Sequence, residues 1–112
     1  MKSVNEDIFD KVVSIARKSV MQHKHGAIIV RNGEILGAGY NHITDYMSHQ
    51  WSCHAEVAAI QNCRKKDRQN LSDATLLVVR ISKEGEPKLS KPCANCKKQI
   101  EKYGIKRVFY SV

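Results

Sequence analysis

The chain has 112 residues, four cysteines, and 19 Lys and Arg against 11 Asp and Glu, which gives a formal net charge of +8. With 42% hydrophobic and 27% charged residues it has the balance of one globular domain over residues 1–112, and no apolar run is long enough for a membrane span or a signal-peptide core. A cytoplasmic location with free or metal-bound thiols is expected rather than a disulfide framework, and the positive charge would attract a phosphate-bearing partner.

Ser3 and Glu6 have the spacing of a capping box, and Ile8, Phe9, Val12, Val13, Ala16 and Val20 form one apolar stripe. Together they predict a helix over residues 4–21, with Arg17 and Lys18 at its C-terminal end. Two short apolar runs, 26–31 and 34–40, flank Asn32-Gly33, a dipeptide suited to the tight turn of an antiparallel hairpin. From Asn41 to Cys53 periodicity is lost, which predicts a loop carrying Tyr46, Met47 and Trp51. Residues 54–66 read as a helix with Val57, Ala59, Ile60 and Cys63 inward, ending in the charged, solvated run 64–68.

Residues 74–81 predict a strand whose apolar centre, Leu76-Leu77-Val78-Val79, requires cover on both faces, as in a parallel sheet. A polar loop with Gly85 and Pro87 leads to Pro92, which suits a helix start, and Gly104 suits that helix's end. A last strand covers 105–110. The order α-β-β-α-β-α-β predicts a three-layer α/β/α domain, with a mixed sheet that opens on an antiparallel hairpin and continues in parallel crossovers.

Two patterns sit at the starts of the second and third helices: His54-Ala55-Glu56 and Pro92-Cys93-Ala94-Asn95-Cys96. Cysteines three apart on a first helical turn face the same way, and a helix N-terminus favours their thiolates, so both can bind one zinc ion with His54 as a neutral third ligand. Three protein ligands leave one tetrahedral position for water, whose pKa on a catalytic zinc can fall to about 7. Glu56, two residues beyond His54, is offset from the ligand direction and suits a proton shuttle. A closed structural knuckle would need a fourth ligand; Cys53 is the nearby candidate, but adjacent residues 53 and 54 diverge. Cys53 and Cys63 read as small buried hydrophobes.

H-x-E followed by P-C-x-x-C is the signature of zinc deaminases, and the chain resembles the cytidine and deoxycytidylate deaminase superfamily over nearly its whole length. The hairpin from Gly26 to Asn41 resembles the family's first two strands, and Gly104-Ile105-Lys106-Arg107-Val108 its fourth. The resemblance implies hydrolytic attack at C4 of cytosine, with Glu56 protonating N3 and then the departing ammonia. It further implies that Asn41 contacts the sugar and that the Ala55 backbone N–H binds the ring carbonyl.

The family's fifth strand, expected after the fourth, has no counterpart before Val112, so a sheet lacking it, with an open edge for homo-oligomer contact, is expected. The substrate implied is a cytosine nucleotide or nucleoside, dCMP or CMP or cytidine or deoxycytidine. Phosphate is favoured by the charge, with His23, Lys24 and His25 as candidates to meet it. One alternative is a base in RNA or single-stranded DNA, stacked on Tyr46 or Trp51. Another is a non-catalytic zinc-binding interaction module, against which Glu56 argues.

Overall fold

The computed structural model describes residues 6–21, 23–46 and 49–111, with side chains described for these except residues 6 and 43–53. The Ser3–Glu6 capping box, Met47 and the side chains of Tyr46, Trp51 and Cys53 therefore lie outside the described residues.

Helix α1 covers Glu6–Ala16, and strands β1 (Lys24–Arg31) and β2 (Glu34–Tyr40) pair antiparallel. Asn32 and Gly33 both have positive φ, 52° and 79°, the turn geometry whose twist matches the flanking strands. The register slips between Ile29 and Val30, which leaves Leu36 as the extra residue of a bulge. The α1 stripe runs shorter than expected: the chain leaves helical geometry after Ala16, so Val20 lies outside it and is 93% exposed.

Strand β5 (Thr75–Ile81) is the centre of the sheet, antiparallel to β1 and parallel to β7 (Arg107–Tyr110). Since β1 is antiparallel to both β2 and β5, those two strands run parallel to each other across it. Both strand–helix–strand segments thus connect parallel strands, as expected, but the hairpin's first strand is inserted between the first pair. The sheet nonetheless has five strands, because β6 (Pro87–Lys88) pairs antiparallel with Arg80 and Ile81; among the described residues no strand follows β7, where the family's fifth was expected. Strand β6 lies before the last helix, in the segment whose composition reads as a polar loop.

Residues 42–46 and 49–53 are likewise not a loop. Strands β3 (His42–Tyr46) and β4 (His49–Cys53) form a separate two-stranded antiparallel sheet. Such a ladder satisfies backbone groups without apolar alternation, so composition carried no sign of it.

Alternating side chains of β1 and β5 divide between the two faces. Val12 and Ala16 of α1 pack with Ile28, Leu77, Val79 and Ile81 on one face. On the other, Ala27, Ile29, Leu76 and Val78 pack with Ala55, Ala59 and Ile60 of α2 (Ala55–Gln61) and Ile100 of α4 (Ala94–Lys102). The three layers are α1, the sheet, and α2 with α4. Leu76, Leu77, Val78 and Val79 are all at most 1% exposed, and full burial of such side chains contributes about 1.5–3 kcal/mol each, so β5 anchors both halves of the core.

The helix expected over 54–66 is two: α2 ends at Gln61, and α3 covers Lys65–Arg68. Within the charged run, Asp67 is 6% exposed rather than solvated, because Arg31 Nη2 and Arg64 Nε each lie 3.0 Å from its carboxylate oxygens. Helix α4 starts at Ala94 with Cys93 as N-cap, two residues beyond Pro92. It closes on Gly104 as expected: Gly104 N–H donates to the Glu101 carbonyl and Ile105 N–H to that of Ile100, the paired bonds of a Schellman motif.

No helix among the described residues is long and apolar enough to cross a membrane.

Candidate metal centre and cleft

Two glycines set how closely α2 lies on the sheet. A Cβ on Gly37 would sit 2.3 Å from the Ala59 carbonyl oxygen, and one on Gly39 would sit 2.6 Å from the Ala59 nitrogen. Only hydrogen at both positions lets α2 rest on β2, and Asn62 Nδ2 then donates to the Ala38 carbonyl at 2.7 Å. The N-terminus of α2 is thereby brought beside the start of α4.

His54 is the N-cap of α2 and Cys93 the N-cap of α4, both with extended backbone. Cys96 is the third residue of α4, and side chains at the N-cap and third positions converge over a helix start, the geometry that a capping box uses. Histidine Nδ1 lies 3.1 Å from Cys96 Sγ and 3.6 Å from Cys93 Sγ. The donor atoms of all three residues fall within 4.8 Å of one another. One imidazole nitrogen and two thiols, with no fourth protein donor in the cluster among the described residues, fit zinc in an open tetrahedral site.

Cys96 is buried, and burial pushes its thiol pKa well up, with further upward contributions from the negative charge of Glu56 and from contact with Cys93. A bound divalent cation inverts that balance, because its charge stabilises the thiolates directly. Cys63, by contrast, is buried beside Ala59, whose carbonyl its Sγ approaches at 3.5 Å, and stands outside the cluster.

A cleft of about 380 Å³ opens on the cluster and is lined by His54, Ala55, Glu56 and Cys93. This volume lies within the usual range for small-molecule sites. Glu56 is 5% exposed and is the second residue of α2; Ala55 is the first, so its backbone N–H has no acceptor within the helix. The opposite end of the lining comprises Met21, His23, His25, Asn41 and Lys91.

The six residues given catalytic, ligand or substrate roles, His54, Ala55, Glu56, Cys93, Cys96 and Asn41, thus belong to one place: five line the cleft, and Cys96 completes the three-donor cluster. Asn41 also has a second task. Its Oδ1 accepts from the His25 backbone N–H at 2.9 Å, and its Nδ2 donates to the His23 carbonyl at 2.6 Å. Of the three basic candidates around the start of β1, His23 and His25 line the cleft, whereas Lys24 turns away to the Ser19 carbonyl. Lys91 was missed; its place one residue before Pro92 was the available signal.

Residues 2–112 match the family described as the cytidine and deoxycytidylate deaminase zinc-binding region. The chain is 30% identical over 118 residues to the deoxycytidylate deaminase of Mycobacterium phage D29, covering 84% of this chain and 82% of that one. Among solved structures it is similar to the apo dCMP deaminase of cyanophage S-TIM5, with a TM-score of 0.63, 26% identity, and 96% of this chain and 84% of that chain covered. It is also similar to guanine deaminase from Bacillus subtilis, with a TM-score of 0.68, 29% identity, and 96% of this chain and 64% of that chain covered.

Proposed function

Because the chain belongs to the cytidine and deoxycytidylate deaminase zinc-binding family, we propose that it hydrolyses the exocyclic amino group of a cytosine nucleotide, dCMP or CMP, or of the corresponding nucleoside, to the uracil product and ammonia. The observation that carries this reading is the meeting, in one cleft, of a three-donor His54–Cys93–Cys96 cluster with the buried carboxylate of Glu56.

His54, Cys93 and Cys96 would hold zinc, which when bound supplies the Lewis acidity that makes a nucleophile of water near neutral pH. Glu56 takes the proton from the attacking water and delivers it to ring N3, and then carries a second proton to the departing amine, so that one water is consumed and one ammonia leaves. The Ala55 N–H, unused by its helix, donates to the ring carbonyl oxygen. Asn41 contacts the sugar with what its amide has left after holding residues 23–25. Lys91 and His23 make the far end of the cleft the part suited to phosphate, with His25 beside them.

The net charge of +8 also supports a second reading, in which the base belongs to RNA or single-stranded DNA. Ammonia release from cytidine, deoxycytidine, their 5′-monophosphates, guanine, and cytosine-bearing RNA and DNA oligonucleotides decides between them. The expected result is highest kcat/KM on a monophosphate, with the advantage over the nucleoside eroded by salt. Turnover of oligonucleotides alone establishes the second reading, and turnover of no cytosine substrate rejects both.

A further inference from the structure

His23 and His25 both line the cleft, and each has its Nδ1 already engaged. The Arg80 guanidinium lies 2.7 Å from His23 Nδ1. A guanidinium has only donors, so this nitrogen is the acceptor, and the neutral His23 ring carries its proton on Nε2. The second ring is the reverse. Its Nδ1 lies 3.3 Å from the His23 carbonyl oxygen, which only accepts, so the His25 proton sits on Nδ1 and Nε2 keeps its lone pair. Burial lowers the His25 pKa below the ordinary imidazole value and so favours the neutral ring, outweighing its bond to the His23 carbonyl and the negative charge of Glu56. The Asn41 amide, bonded to the backbone of both residues, pins the chain segment that carries the two rings.

We propose that His23 and His25 are the specificity-determining pair for the non-reacting half of the substrate: His23, oriented by Arg80, offers an Nε2–H to an anionic oxygen, and His25, oriented by the His23 carbonyl, offers an Nε2 lone pair to a hydroxyl. The ligand class is a hydroxylated phosphate ester, such as a sugar phosphate, and the assignment rests on the reading of this cleft as the substrate site. Lys91 adds positive charge to the same wall without fixing direction. Arg80 is a positioning residue. It reaches the cleft only through His23.

Long-range 1H–15N correlation spectra of the zinc-loaded, 15N-labelled chain test the arrangement directly, with the rings assigned from His23→Asn and His25→Asn. His23 is expected as the Nε2–H tautomer and His25 as the Nδ1–H tautomer. Arg80→Met is expected to let His23 populate both tautomers while His25 keeps its own. Two rings in the same tautomer, or Arg80→Met without effect on His23, overturns the proposal. Inorganic phosphate is expected to shift the His23 ring signals of the wild type; no shift up to tens of millimolar counts equally against it.

In kinetics, His23→Ala is expected to lower the ratio of kcat/KM for cytosine 5′-monophosphate to that for its nucleoside about ten-fold, as loss of a charge-assisted hydrogen bond does, with His23→Gln recovering part of it. An unchanged ratio overturns the proposal. If the wild type deaminates neither compound, the proposed function fails, while the tautomers and the phosphate shift still decide this inference.

Discussion

The Ser90 hydroxyl lies 2.9 Å from the Ser111 hydroxyl, in a buried polar knot that ties the approach to the candidate metal ligands onto the end of the last strand. Ser111 N–H donates to Ser90 Oγ at 2.8 Å, and Ser90 N–H donates to the Ser111 carbonyl at 2.8 Å. Ser111 Oγ further donates to the Lys88 carbonyl, 2.6 Å away, and Ser90 Oγ donates to the Val78 carbonyl at 3.0 Å. Ser90 precedes Cys93 by three residues, so the knot fixes where α4 begins. Ser111→Ala should cost about 1–3 kcal/mol by leaving buried partners unmatched. A lower denaturation midpoint and faster zinc release to a chelator are expected together, and unchanged release would detach the knot from the metal.

Cys96→Ala should abolish stoichiometric zinc, since it removes one of three donors, whereas Cys63→Ala and Cys53→Ala should retain it. Elemental analysis of the purified variants checks this. Zinc loss in Cys53→Ala equal to that in Cys96→Ala would instead indicate a closed four-ligand knuckle.

Glu56→Ala leaves the three donors in place and removes the proton route. Turnover should fall by about 10²–10⁴-fold or more, because attack and leaving-group departure both use the same carboxylate. Ammonia release at matched zinc occupancy, with circular dichroism confirming the fold, is the measurement. An unchanged rate would remove Glu56 from the mechanism.

Gly37→Ala places a methyl group where the Ala59 carbonyl oxygen stands, 2.3 Å away. Helix α2 must move off β2, at a cost of roughly 1–3 kcal/mol for overpacking, and it takes His54 and Glu56 with it. Both the unfolding free energy and zinc affinity should drop, as read by urea titration and competition with a chelator.

Asp67 gives the fold an acid limit. Burial by itself raises its carboxyl pKa, but hydrogen bonds from Arg64 and Arg31 and their charges outweigh burial and hold it below the ordinary 3.8. The folded state therefore prefers the ionised form. Its contribution is complete above that value and is lost as pH falls through the lower folded pKa. Urea midpoints measured between about pH 6 and pH 2 should decline more steeply at the acid end in the wild type than in Asp67→Asn. Parallel profiles would show that the pairing adds nothing.

What the sequence determined by itself is local. The Asn32-Gly33 turn, the i, i+3 cysteines over a helix start, the His54–Glu56 offset and the Gly104 stop are each set within a few residues, by backbone geometry that neighbours suffice to dictate. The apolar run Leu76–Val79 likewise announced cover on both faces, but not strand direction: the helical layers bury β5, while one of its neighbours is antiparallel and the other parallel. Tertiary structure alone decided the pairings that register brings together. These include Arg80 with His23, 57 residues apart, Arg31 with Asp67, 36 apart, and Ser90 with Ser111, 21 apart. Polar residues of that kind look solvated in a sequence, since nothing in their own neighbourhood requires burial. Which of them meet, and so acquire a hydrogen-bond partner, a lowered pKa or a buried hydroxyl, depends on how the sheet aligns strands that are distant along the chain.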